Sequence, residues 1–497
     1  MPRVFLVNPA VTEFGFGLIT PRWLFVLAQA TPADIVGDPI LIDESIKKFD
    51  TSLVKGGDIV GIGITTGNCA VGYKIIKELK NIGAQVIVGG IHATIFPDEP
   101  IQFGADSVIT GNGEIAWPRA IQDALDKKLK KTYIGGRVPG NQLLPARWDL
   151  MDPSNYMAAS VQTIAGCPEN CNFCSVWVTD GRSPRQRLTD KIIGEVNQLY
   201  SMGFRYLLFA DDNFNPGTLG RIAREENSVK KAQLERIREE RLIFFEEYSR
   251  SVPEDIYAFT QMTSEITSDP EYLNAMYEKM RIRGVLMGVE SFSEAGLKSA
   301  NKQWNPSGDN MINAIGTIQD RGITVLSSMI YGLESDTESS LQSARNFAVQ
   351  SGTDLAQFII YSPYPGTVDF ARMTDPRNPN KKISLLYNNF WLNPEKPPVL
   401  IKHPNLDGPT IIKEVKESWS HFYSIKKILT RALNHDWYLS KRTWYILFSL
   451  AFKFVYVIDG ISADSVRSRR PTKLPFFLIK KGVALHRFLA RRTVMQN

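Results

Sequence analysis

Short apolar runs alternate with helix-spaced stretches in two long tracts of this chain, and that alternation restricts the fold more than any single residue does. In the first tract the runs are Val4–Asn8, Ile40–Ile42, Ile59–Ile64, Val86–Val88 and Ser107–Ile109. Between the third and fourth, Ile75, Ile76, Leu79 and Ile82 recur at helical spacing. Such a pattern predicts a parallel, doubly wound sheet over residues 1–128, with ligands beyond the carboxyl ends of its strands. Residues 129–158, rich in Gly and Pro and without sustained period, read as a linker. The second tract, 159–375, has candidate strands Ser160–Ile164, Tyr206–Ala210, Ala258–Met262, Val285–Val289, Thr324–Ile330 and Gln357–Tyr361. Six βα units fit a full or partial (β/α) barrel. Within it, the charge-dense stretch 221–250 reads as a solvated helix laced with i,i+4 pairs. Residues 376–497 read as mainly helical, basic and hydrophobic. The expected class is therefore α/β, with a Rossmann-like domain, a barrel and a helical C-terminal region.

A composition of 43% hydrophobic and 22% charged residues excludes disorder, collagen and coiled coil for the whole. Four cysteines in 497 residues cannot build a secreted disulfide scaffold. The opening Met1-Pro2-Arg3-Val4 runs straight into a strand with no signal-peptide pattern, so a cytoplasmic location is expected. Charge is unevenly spread. Residues 441–497 hold 12 Lys and Arg against 2 Asp and Glu, so this tail is strongly cationic while the body is slightly acidic. That balance argues against a general nucleic-acid binder and for a local anionic partner.

Three of the four cysteines stand at Cys167-x3-Cys171-x2-Cys174, directly after the first strand expected in the barrel. A short loop can turn three thiolates toward one soft metal centre. Zinc would want a fourth protein ligand nearby, from a second CxxC or an HxxxH pair, and the sequence offers neither. Three thiolates alone suggest a [4Fe–4S] cluster with one iron left open. Cys69, opening a helix, reads as a buried structural thiol, with a reactive role as the alternative. As the one spare thiol it leaves no ligands for a second cluster.

This cysteine pattern, with aromatic Phe173 before the last cysteine, resembles the signature of the radical SAM superfamily. In that family the open iron chelates S-adenosylmethionine (SAM), whose reductive cleavage yields a 5′-deoxyadenosyl radical. The resemblance implies that Phe173 packs near the adenine and that Asp211-Asp212-Asn213 holds the methionine amino group. It implies that Glu290, in Gly288-Val289-Glu290-Ser291, contacts the ribose or methionine. Helix capping is the alternative role for Asp211 and Asp212. It also implies a reducing partner of flavodoxin or ferredoxin type.

Upstream, Thr65-Thr66-Gly67-Asn68, Gly89-Gly90-Ile91-His92 and Gly111-Asn112-Gly113-Glu114 resemble the loops of the cobalamin-binding Rossmann module that precedes many radical SAM domains. The resemblance implies cobalamin contacts from Thr65, Gly67, Asn68, Gly89, Gly90, His92, Gly113 and Glu114. The chain lacks the Asp-x-His-x-x-Gly pattern that supplies a histidine to cobalt, so the lower face of a corrin would carry no protein imidazole. For His92 the alternative is a turn histidine bonded to nearby backbone. The whole resembles the group of hopanoid C-methylases and anaerobic magnesium-protoporphyrin monomethyl-ester cyclases. That implies C-methylation of a hydrophobic small molecule, a lipid or a tetrapyrrole. Radical cyclisation, oxidation or C–C coupling is the alternative enzyme reading, and a non-catalytic sensor binding a cluster or corrinoid is the alternative from another class.

In the tail, Trp444–Ile458 reads equally as a cap on the barrel or as a helix in a membrane surface. Leu474–Arg492, whose aromatics interleave with cations, favours the membrane surface. A peripheral position on the inner membrane face is the resulting expectation.

Overall fold

The structure, a computed structural model, describes residues 2–378, 382–393, 396–434, 439–458 and 480–483. Two parallel sheets organise it. The first has six strands in the order β3-β1-β4-β5-β6-β7, with β1 Val4–Asn8, β3 Ile40–Asp43, β4 Ile59–Gly63, β5 Gln85–Gly89, β6 Ser107–Gly111 and β7 Thr132–Gly136. The order reverses between β1 and β4, which makes that gap the switch point where an open α/β sheet receives ligands. Helices cover both faces, so β1 buries every residue from Val4 to Val7 and reads as a continuous apolar run. Gly61 and Gly63 leave room for Trp117 and Trp23, whose rings a Cβ would meet at 2.7 and 2.5 Å.

The second sheet has the order β15-β14-β13-β12-β11-β8-β2. Its strands are β2 Gly17–Ile19, β8 Tyr156–Val161, β11 Tyr206–Phe209, β12 Tyr257–Met262, β13 Ile282–Glu290, β14 Thr324–Tyr331 and β15 Leu355–Ile360. All six expected barrel strands occur in sequence order, each parallel to the next. This open curved sheet is the partial barrel expected.

Three features depart from the sequence reading. Thr132–Gly136, within the expected linker, is the sixth strand of the first sheet. Gly17–Ile19, unread in the sequence, joins the barrel sheet beside β8, so the N-terminal segment contributes to both sheets. The charged helix Ser228–Ser251 is no solvated rod. Leu234, Ile237, Phe244, Phe245 and Tyr248 are buried, and so is Arg241, whose guanidinium lies 4.3 Å from the Phe214 ring centroid. Charge density hid the apolar stripe, because Arg241 buries its head on aromatic faces.

Beyond the barrel, Phe390 and Trp391 fold back into the apolar core of the first sheet. The helix Gly408–Phe422 packs on β15, with Trp419 Nε1 donating to Phe358 O at 3.0 Å. Helix Leu439–Phe452 caps that layer: Tyr445 donates to Asp354 O at 2.9 Å, and Tyr456, just beyond, stacks on Trp419 at 4.3 Å. The inner face of Trp444–Ile458 thus follows the cap alternative. Leu474–Arg492 lies almost entirely outside the described residues. Among those described, no helix is long and apolar enough to cross a membrane.

Candidate functional site

The three cysteines occupy the loop between two short antiparallel strands, β9 Ile164–Ala165 and β10 Arg185–Gln186, which follow β8. Gly166 starts the loop at φ +92°, where a Cβ would stand 3.0–3.1 Å from the carbonyl oxygens of Asp180, Gly181 and Ser183. Cys167 N donates to Gly181 O at 3.2 Å and closes the loop's base. Glu169 then pins it to the helix Leu219–Ala223 and the residue after it, through Arg221 Nε and Arg224 at 3.1 Å each, and Arg224 also reaches Glu265 at 2.7 Å. Asn172 N donates to Ala300 O at 3.1 Å, and Asn301 Nδ2 to Asn170 O at 3.0 Å. The loop is held from three sides.

Burial pushes the Cys171 thiol up to about 12 and raises Cys167 and Cys174 as well, and Cys174 opposes the ionisation of the other two. Three sulfurs of one loop that resist ionisation by themselves are a donor set that a soft cation would complete. The residues fit an iron–sulfur cluster. Phe173 packs at the edge of the core.

The Asp-Asp-Asn run after β11 divides by direction. Asp211 is fully buried and accepts from Thr163 N at 2.6 Å, Ile164 N at 3.0 Å and the Thr163 hydroxyl. Its carboxylate is committed to the corner between β8 and β9. Asp212 turns the other way and accepts from Gly166 N at 3.0 Å, beside the cysteine loop. Burial, with the charge of Asp180, pushes it up to about 7. A buried carboxylate so raised is one that a cation would stabilise. Asn213 is buried and accepts from Asn215 N at 3.2 Å.

Glu290 ends β13 in the left-handed region, φ +59°, at a register shift against β14. Its partner is a residue that the sequence reading missed. Lys302 Nζ donates to Glu290 Oε1 at 2.9 Å and to Gly288 O at 2.7 Å, with both side chains almost wholly buried. Burial opposes the ammonium, but Glu290 beside it raises Lys302 above the ordinary lysine range. No motif marks a lysine twelve residues downstream, so nothing in the sequence could have found it. Glu169 was findable, as the one acid inside the cysteine run.

At the switch point of the first sheet, Asn68 joins two loops: its Oδ1 accepts from Thr65 N at 2.7 Å and its Nδ2 donates to Pro9 O at 2.8 Å. Thr65, Gly67 and Gly90 are exposed along this edge, and Gly89 and Gly113 are half-buried. Gly90, at φ +99°, passes so close to Ile64 that a Cβ would meet its carbonyl oxygen at 2.4 Å. Small exposed residues on crossing loops fit a large flat ligand. His92 and Glu114 are turned inward instead. His92 is fully buried between Thr66 Oγ1, 3.1 Å from Nδ1, and Glu99, 2.9 Å from Nε2. Glu114 accepts from Leu144 N at 2.9 Å, and burial raises its carboxyl. Cys69 is buried, its thiol donating to Thr66 O at 3.5 Å and pushed up to about 12 by burial and then by Glu99. That is the buried thiol expected.

Residues 161–348 match the family model of the radical SAM superfamily. Over 429 residues the chain is 28% identical to an uncharacterized methyltransferase of Pyrococcus horikoshii, covering 81% of this chain and 85% of that one. It is 24% identical over 363 residues to the bacteriochlorophyllide d C-12(1)-methyltransferase of Chlorobaculum tepidum, covering 71% and 74%. Its fold is like that of the radical SAM methyltransferase TsrM from Kitasatospora setae, solved with cobalamin and a [4Fe-4S] cluster bound. The TM-score is 0.61 at 14% identity, over 91% of this chain and 100% of that one.

Proposed function

We propose that this chain, whose residues 161–348 match the radical SAM superfamily model, is a cobalamin-dependent radical SAM C-methyltransferase acting on a hydrophobic small molecule of the lipid or tetrapyrrole class. The observation that carries the reading is the cysteine loop, fixed beside Asp212 on one side and the Glu290–Lys302 pair on the other. We assign residues 1–136, apart from the barrel strand Gly17–Ile19, to corrinoid binding, 137–155 to the connection, 156–375 to the radical domain and 376–497 to the C-terminal region.

When bound, the cluster with SAM supplies a carbon-centred radical and the corrinoid a methyl group. The chain's own residues bind and orient. Cys167, Cys171 and Cys174 ligate the cluster, which requires them as thiolates, so its binding releases protons. Asp212 receives the ammonium of the methionine moiety, and that cation keeps the carboxylate ionised. Glu290 accepts from a ribose hydroxyl while Lys302 holds it in its bent backbone position. Phe173 offers its ring to the adenine. Asp211 and Asn213 position that edge from within. Thr65, Gly67, Asn68, Gly89, Gly90 and Gly113 line the corrin edge, with His92 and Glu114 supporting those loops from inside. A flavodoxin- or ferredoxin-type donor provides the electron, and the C-terminal region meets a membrane surface.

The test is iron and corrinoid content after anaerobic purification from cobalamin-fed cells, beside the Cys167→Ala/Cys171→Ala/Cys174→Ala variant. About four irons and one corrinoid per chain are expected, with iron alone lost in the variant. Methyl incorporation from labelled SAM into lipid or tetrapyrrole extracts then separates methylation from cyclisation or coupling. A chain that binds no iron overturns the proposal.

A further inference from the structure

The membrane contact just proposed rests on the cations and aromatics of the sequence, and the C-terminal helices locate it. Helix Ile425–Asn434 packs one face inward, burying Ile428 and Ala432, while Arg431 donates to the Tyr445 hydroxyl at 2.6 Å from within. Along its outer flank run Ile425, Leu429 and Leu433, one turn apart at i, i+4 and i+8, and they are 51%, 44% and 68% exposed. Beside it, helix Leu439–Phe452 buries Tyr445 and Ser449 and leaves Leu447, Phe448 and Leu450 at the surface. Isolated exposed leucines are ordinary, but three exposed apolar residues at i, i+4 and i+8 on one helix, with three more on the helix packed beside it, are not.

Charge decides what covers it. Residues 425–497 contain 15 Lys and Arg against 3 Asp and Glu, and Asp436 is the only acid between 425 and 458. Lys426 is exposed at the outer border of the stripe. A second copy laying the same face against this one would bring two strongly cationic segments together. The residues that follow carry the same sign and gain nothing electrostatically by folding onto it. A nucleic acid would answer the charge but leave the leucines uncovered. An anionic bilayer answers both, taking the leucine side chains at the acyl boundary and the ammonium and guanidinium groups at the headgroups.

We propose that the helix pair Ile425–Asn434 and Leu439–Phe452 is a monotopic docking surface for anionic lipid, inserting Ile425, Leu429 and Leu433 into one leaflet. Docking there sets the barrel on the phase in which an apolar substrate is dissolved. The surface goes beyond the sequence reading, which gave Trp444–Ile458 equally to a cap and to a membrane surface and assigned no membrane role to Ile425–Asn434.

The full-length protein is floated with phosphatidylcholine vesicles, with and without phosphatidylglycerol, at low and high salt. The companion variant is Leu429→Asp/Leu433→Asp, whose exposed positions leave the fold intact as checked by thermal unfolding. Wild type is expected to float with the anionic vesicles only and to be released by salt, and the variant's bound fraction is expected to fall about tenfold or more. No flotation of wild type overturns the proposal. Equal flotation of both proteins also overturns it, since the cationic tail would then act without this face. A wild-type dimer that the variant splits, with no vesicle binding, assigns the stripe to a second copy instead. Iron content and SAM cleavage are measured on both proteins, so failure of the radical chemistry and failure of docking register separately.

Discussion

A single buried ion pair fixes the acidic end of β13. Glu290 stands in a backbone region that non-glycine side chains rarely adopt, at a cost of about 1–3 kcal/mol. Lys302 offsets that by bonding both Glu290 and Gly288 O, while Asn305 Nδ2 donates to Gly288 O and Val289 O at 3.2 and 3.1 Å. Lys302→Met removes the cation and leaves the carboxylate buried and alone. We expect a loss of about 3–5 kcal/mol, read as a lower urea midpoint, with Lys302→Arg restoring part of it. A Met variant as stable as wild type would mean that the bend in β13 holds itself. This pair also marks what the sequence makes legible at residue scale. The cysteine trio is readable because its chemistry lies within one loop. Lys302 is not, because its role comes from a helix bringing it back across a strand end. Asp211 and Asp212 are adjacent and chemically identical, and only the β8–β9 corner, which takes one inward, tells them apart.

Strand ends elsewhere carry their own titration. After β14, Asp336 Oδ2 accepts from Gly332 N and Leu333 N at 2.9 Å each, yet burial pushes its pKa from 3.8 up to about 6. A carboxyl raised in the folded state binds more protons folded than unfolded between those two values. Its contribution to stability is therefore full in acid and lost as pH rises through about 6. Asp336→Asn removes that titration and keeps an oxygen to accept both N–H groups. The variant should gain about 2–3 kcal/mol on wild type at pH 7 and nothing near pH 3.5, measured as paired thermal midpoints across that range. Equal midpoints at pH 7 would show the carboxylate to be solvated there. Among elements, the long parallel strands were legible because burial on both faces writes them as apolar runs. Gly17–Ile19 and Thr132–Gly136 were not: one has three residues, and the other alternates buried and exposed positions amid glycines. Their place is set by neighbouring strands, which local pattern does not record.

At the scale of the molecule, the chain crosses between its units more than once. Trp391 returns from beyond the barrel to the first sheet, its Nε1 3.1 Å from both Glu99 oxygens and its ring stacked on Phe96 at 4.9 Å. Glu99 also receives the Tyr73 hydroxyl at 2.6 Å and keeps its carboxyl below the usual range despite burial. Trp391→Ala opens a cavity and strips a donor, so a loss of about 3–5 kcal/mol is expected. Hydrogen exchange should place that loss in the first sheet, and exchange changed only around the barrel would refute the strap. Domain order was legible from the two tracts of alternation, whereas this return was not, because residues 386–400 carry no periodic signal. The strand β2 has a consequence for anyone recombining such enzymes. Because Gly17–Ile19 pairs with Tyr156–Ala158, the barrel's outer edge is encoded ahead of most of the N-terminal unit. A chimera that exchanges the leading unit at its apparent boundary would import a foreign hem for the barrel. The cut that respects the architecture leaves residues 17–19 with the host and takes the first-sheet strands on both sides of them, β1 included, from the donor.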